Sequence, residues 1–188
     1  MAIILEKNKP ISLVNETSDL KNIIVSLGWD GEIINGKPID CDVSVFMLDA
    51  HGKLPQDEFF VFYNNKTSID SSIKHSGDSV DGSSGIDDET ITVDLLNIDS
   101  RIEFLYFVTT IHESVERGHH FGYLTNASIK IQNAEDRNVL CQYNLTESFS
   151  GQDSLIFASI SRNGGIWDVE GLGQGFSGGL GALLELYQ

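Results

Sequence analysis

Short apolar runs, each closed by polar or glycine-bearing residues, recur along this chain and constrain its fold most. They include NIIVSLGW (22–29), CDVSVFML (41–48), EFFVFYNN (58–65), TITVDLLNI (90–98), RIEFLYFVTTI (101–111), NASIKIQN (126–133) and DSLIFASISR (153–162). Their Val, Ile, Phe and Tyr content suits a pleated, half-buried surface. Several alternate: in NASIKIQN, Ile129 and Ile131 face one way while Lys130 and Gln132 face the other. That pattern reads as strand, and many short strands at this spacing predict an all-β sandwich or barrel. Helical pattern is scarce. HESVERGHH (112–120) predicts a short helix stopped at Gly118, and SGGLGALLELYQ predicts a closing helix. Residues 31–39 and 75–89 are the main expected loops.

With 188 residues and no internal repeat or composition shift, residues 1–188 are expected to form a single domain. Hydrophobic residues make up 40% and charged residues 21%, which fits a folded protein. The net charge of −16 repels phosphate backbones and attracts cations, so nucleic acid is not an expected partner. Cys41 and Cys141 sit inside apolar runs without C-x-x-C spacing. They are expected to be buried free thiols, which points to a reducing compartment. MAIILEKNKP has no basic start and meets Glu6 after a short apolar run, so no signal peptide is expected. No run approaches the roughly 18 residues of a membrane span.

Catalytic motifs fail on context. Gly173-Gln-Gly175-Phe-Ser-Gly178 matches G-x-G-x-x-G. That pattern needs a βαβ unit and an acid about 20 positions on, which the ten residues after Gly178 do not supply. Gly175-Phe-Ser177-Gly-Gly179 matches G-x-S-x-G, but no His follows Ser177. Turns and close backbone packing explain these glycines better. His112-Glu113 begins like H-E-x-x-H, but position 116 is Glu; a solvated helix end outweighs a zinc site built with His119 and His120.

HSGDSVDGSSGIDDET (75–90) is the most unusual stretch, combining Gly77, Gly82 and Gly85 with Asp78, Asp81, Asp87, Asp88 and Glu89. Hard cations such as calcium take six to eight oxygens, from carboxylates, backbone carbonyls and amides. Glycine lets the backbone turn its carbonyls inward. The stretch is not an EF-hand, since starting at Asp78 puts Val80 and Gly82 where oxygen-bearing residues belong. Asp40 and Asp42, two apart at the start of a strand, point to one face. Asn64 and Asn65 end another strand and offer amide oxygens. Composition alone leaves a solvated loop and a multi-oxygen cation site both open.

The ordered motifs LGWD (27–30), DCDVSVFML (40–48), FVFYNN (60–65), HSGD (75–78), DDE (87–89), VDL (93–95), VTTIHE (108–113), FG (121–122), NASIKI (126–131), YNL (143–145) and GQGFSGGL (173–180) span nearly the whole chain. In these the chain closely resembles the TerD family of tellurium-resistance and stress proteins. The resemblance implies a sandwich of two antiparallel sheets with short peripheral helices. It also implies a bacterial-type cytoplasmic, calcium-binding stress protein, usually with two adjacent ion sites around the acidic loop. The family's loop reads roughly G-D-N-x-T-G-x-G-D-G-D-D-E. Gly77, Asp78, Gly82, Asp87, Asp88 and Glu89 match it. Ser79 stands for Asn, Asp81 for Thr, Ser84 for Gly, Gly85 for the central Asp and Ile86 for the next Gly. One carboxylate is lost and another gained, so one or two calcium ions are expected. The candidate ligands are Asp40, Asp42, Asn64, Asn65, Asp78, Asp81, Asp87, Asp88 and Glu89.

The leading expectation is a calcium-binding stress-response protein without catalytic activity. The alternative is a protein-interaction module of a membrane-associated stress-resistance complex, peripheral at the inner membrane face, with other stress-resistance proteins as partners. There the metal would be structural, regulatory or partly lost. A third reading, an enzyme using His112 and Glu113, has no nucleophile to accompany it.

Overall fold

A computed structural model describes residues 2–13, 20–30, 33–76 and 89–188. In chain order, β1 is Ile3–Ile4, β2 Ile11–Ser12, β3 Asn22–Gly28, β4 Ile33–Ile34, β5 Lys37–Pro38, β6 Cys41–Leu48, β7 Phe60–Val61, β8 Ile73–His75 and β9 Glu89–Asp94. Then come β10 Phe104–Ile111, helix α1 Ser114–Arg117, β11 Ser128–Asn133, β12 Val139–Asn144, β13 Ser154–Asn163, β14 Ile166–Phe176 and helix α2 Gly179–Tyr187. One sheet has the order β1-β12-β11-β3-β9-β8, and the other β2-β14-β13-β10-β6-β7. Neighbours are antiparallel except β1, which runs parallel to β12. The expected all-β sandwich of two antiparallel sheets is therefore present.

Alternation decides what the first sheet buries. Ile23, Val25 and Leu27 of β3, Ile91 and Val93 of β9, and Ile129 and Ile131 of β11 point into one core. Cys41, Val43, Val45 and Met47 of β6 meet them from the second sheet, with Leu105, Phe107, Leu155 and Phe157. Both cysteines are free and buried, and burial pushes the Cys141 thiol up to about 12.

The second sheet is covered on its outer side as well. Phe46, Leu48, Phe60, Val108 and Ile156 form a smaller cluster under Leu183 of α2. Every residue of β6 is buried, and the cover over Phe46 and Leu48 matches the continuous apolar run that ends this strand, Val45–Leu48. Gly178, at φ 109°, starts α2 in a left-handed conformation. Gly118, at φ 66°, stops α1 where the sequence predicts.

Three elements differ from the sequence expectation. EFFVFYNN is not one strand: Asp57–Phe59 is a 3-10 turn, Phe60–Val61 is β7, and the chain then turns, with Phe62 and Asn65 exchanging backbone hydrogen bonds. The expected 31–39 loop contains the hairpin β4–β5. The glycines of 171–175 lie inside β14, the longest described strand, and not in turns. A Cβ at Gly171 would stand 2.6 Å from the Tyr143 ring, and one at Gly173 2.5 Å from the Tyr143 hydroxyl. Close packing of an aromatic side chain explains them.

Candidate cation site

Val43 is where the two sheets exchange polar contacts. β7 pairs with β6 only at Val45 and Phe46. Alternate residues of an antiparallel strand turn their N–H and C=O to the same edge, so Val43 faces the side that Val45 faces. By that point the chain of β7 has already turned away at Phe62–Asn65. At Val43, side chains from the opposite sheet meet the backbone. The Val43 N–H donates to Glu89 Oε2 at 2.6 Å, and His75 Nε2 lies 3.0 Å from the Val43 carbonyl. A carbonyl only accepts, so Nε2 carries the proton. The same nitrogen stands 3.7 Å from the Glu89 carboxylate, and both side chains are 0% exposed. A buried acidic side chain is tolerated when an amide N–H is aimed at it, as the Val43 N–H is here.

His75 and Glu89 are the flanks of the acidic segment. β8 ends at His75, β9 begins at Glu89, and the Ser76 N–H donates to the Thr90 carbonyl at 2.9 Å. Both flanks therefore converge on Val43, the residue after Asp42. Asp40 and Asp42 are 6% and 8% exposed. Asp42 pairs with Thr110 of β10, and the Asp40 carbonyl accepts the His112 N–H at 2.9 Å. Asp42 is thus the chain neighbour of the residue to which both flanks are fastened.

Asn64 is exposed and Asn65 half-buried, both in the turn after β7. Asn65 Nδ2 donates to the Phe60 carbonyl at 2.7 Å. The next residue, Lys66, accepts the His75 N–H at 2.9 Å, which sets this turn beside the same flank. Asp78, Asp81, Asp87 and Asp88, with Gly85 and Ile86, lie outside the described residues. Among the described residues, no three His, Cys, Asp or Glu side chains are grouped to hold a metal. A cation at this end of the sandwich would need carboxylates from 77–88 as well. The available donors are oxygens, which suits a hard cation such as calcium.

The histidines of 112–120 serve separate contacts. His112 is 45% exposed at its side chain, 3.6 Å from Glu113. His119 is buried and donates through Nε2 to the Ile34 carbonyl at 3.1 Å. His120 stacks on Tyr123 at 3.9 Å. Glu113 pairs with Arg117, which holds its carboxyl below the usual range.

Two working residues were not singled out by sequence reasoning. His75 belongs to the quoted HSGD motif, but nothing there marks its ring as a sheet-to-sheet contact. Asp153 caps α2: its Oδ1 accepts the Gly178 and Gly179 N–H groups at 3.0 Å and the Ser154 hydroxyl at 2.9 Å, while Oδ2 accepts the Ser114 hydroxyl at 2.9 Å. Burial pushes this carboxyl up, but the Gly179 amide, the two hydroxyls and the Gly178 amide together outweigh it and hold it below the usual range. No local pattern marks it, because Asp153 lies 25 residues before the Gly178 amide it accepts.

Known proteins share this arrangement of elements. The model of the TerD domain matches residues 1–187. The tellurium resistance protein TerD of Serratia marcescens is 35% identical over 100% of this chain and 97% of its own length. General stress protein 16U of Bacillus subtilis (strain 168) is 36% identical over 100% of this chain and 97% of its own length. A crystal structure of a telluride resistance protein (TerD) homologue from Streptomyces coelicolor A3(2) superposes with a TM-score of 0.70 at 23% identity, covering 90% of this chain and 98% of that one. By full-length sequence match, this chain belongs to the TerD domain family.

Proposed function

We propose that this protein is a calcium-binding stress-response protein that acts without catalysis. One observation carries the reading. The two flanks of an acid-rich segment are fastened to the backbone of Val43, beside Asp42 and on the strand that starts after Asp40. The flanks of the segment thus lie next to Asp42, which with Asp40 offers two further, nearly buried carboxylates. Asp40, Asp42, Asp78, Asp81, Asp87 and Asp88 would hold the ion, with amide oxygen from the Asn64–Asn65 turn. Calcium supplies positive charge to a cluster that otherwise repels itself, in a chain of net charge −16. The stress role rests on relatives named for tellurium resistance and general stress.

The exposure of His112 and Glu113, and the pairing of Glu113 with Arg117, support the non-catalytic reading. Two buried free thiols support a cytoplasmic location. No described helix is long and apolar enough to cross a membrane.

Thermal melts test the reading. At a calcium concentration about 100 times the dissociation constant, a ligand that binds only the folded state adds about 2.7 kcal/mol. For a chain of this size that raises Tm by about 5–10 °C over the chelator-treated protein. Equal melting points in calcium and in chelator would remove the proposal.

A further inference from the structure

We propose that His75 and Glu89 are positioning residues that fasten both flanks of the acidic segment to the open edge of β6, with Glu89 acting as a tether to Val43 and not as a cation ligand. The part of this that concerns the cation rests on the calcium reading above; the tether itself rests on the described residues alone.

An unpaired backbone N–H and C=O on a buried strand edge is costly, and most strands meet the need with another strand. Among the described residues, no strand pairs with this edge of β6 beyond Val45 and Phe46. Glu89 and His75 come from the other sheet and satisfy one donor and one acceptor of the same residue. They do so across sequence separations of 46 and 32 residues. At 2.6 Å, the Val43–Glu89 contact has the length of a strong charge-assisted hydrogen bond. It draws the carboxylate into the sandwich, where the residue is 1% exposed. Asp42, one residue from the anchor, is 8% exposed. The DDE triplet thus divides its labour. Glu89 fixes where β9 begins, and Asp87 and Asp88, immediately before it in sequence, are left for the ion. On the other flank the His75 N–H donates to Lys66 while its ring bonds Val43, so this residue joins the Asn64–Asn65 turn to β6.

The test pairs calcium calorimetry with amide hydrogen exchange on the full chain. Glu89→Gln keeps a carbonyl oxygen for the Val43 N–H. It should hold calcium within about threefold of wild type, whereas Glu89→Ala and His75→Ala should each weaken binding about tenfold or more. In calcium-free protein, the Val43 amide should exchange faster in Glu89→Ala than in wild type, relative to the Val45 amide, whose partner residue is Val61. A Glu89→Gln loss as large as that of Asp87→Ala would make Glu89 a ligand and overturn the assignment. Unchanged Val43 exchange in Glu89→Ala would overturn the tether. If wild type binds no calcium, the calcium reading fails, and the exchange comparison still decides whether Glu89 holds Val43.

Discussion

Asp153 shows how much a single residue can organise in this protein. One carboxylate starts α2 through the Gly178 and Gly179 amides and secures the first residue of α1 through the Ser114 hydroxyl. Capping carboxylates contribute about 0.5–2 kcal/mol, and leaving buried donors without an acceptor adds to the loss. Asp153→Ala should therefore cost about 2 kcal/mol at neutral pH, measured by urea denaturation. The pH dependence has a definite sign. The folded carboxyl lies below its ordinary value of 3.8, so folding favours the ionised form. Its contribution is fully present above the unfolded value and is lost as pH falls through the lower folded one. The stability gap between wild type and Asp153→Asn should be flat near neutrality and close on acidification below about pH 4. A gap that widens in acid would contradict this assignment.

At the scale of elements, α2 turns an ordinary sandwich sheet into one buried on both faces. Leu183 is fully buried above Phe46, Phe60, Val108 and Ile156. Leu183→Ala should lower stability by about 2–5 kcal/mol through lost burial and a residual cavity, read as a fall in the urea midpoint with little change in slope. How far the elements were legible follows from the same packing. β9 and β11 alternate in sequence because one face of their sheet meets the core. The second half of β6, Val45–Leu48, reads as a continuous run because both of its faces are covered there. β7 is overestimated by periodicity, since Phe62 and Tyr63 continue the apolar pattern but lie in a turn closed by Asn65. β14 is missed because glycines at 171, 173 and 175 look like loop, and the reason for them is the distant Tyr143 ring together with Phe149 and Gln152. At the candidate site the oxygen chemistry was legible: acids beside glycines, and a D-x-D at a strand start. The anchoring by His75 and Glu89 was not, because it joins residues far apart in sequence through a strand edge that exists only once β7 has ended.

At the scale of the whole molecule, charge is the dominant property. A net charge of −16 over 188 residues is self-repelling, and the carboxylates are not spread evenly. The 75–90 stretch holds five of them, and its flanks are pinned to the strand that follows Asp40. A cation bound there would relieve the repulsion where it is densest and tie the two sheets at one end. Calorimetric titration of calcium into wild type and into Asp87→Ala tests this most directly. Wild type should show saturable binding of one or two ions, and Asp87→Ala should lose affinity about tenfold or more, as expected when a charged ligand is removed. Absence of binding by wild type, or identical titrations of the two proteins, would contradict it.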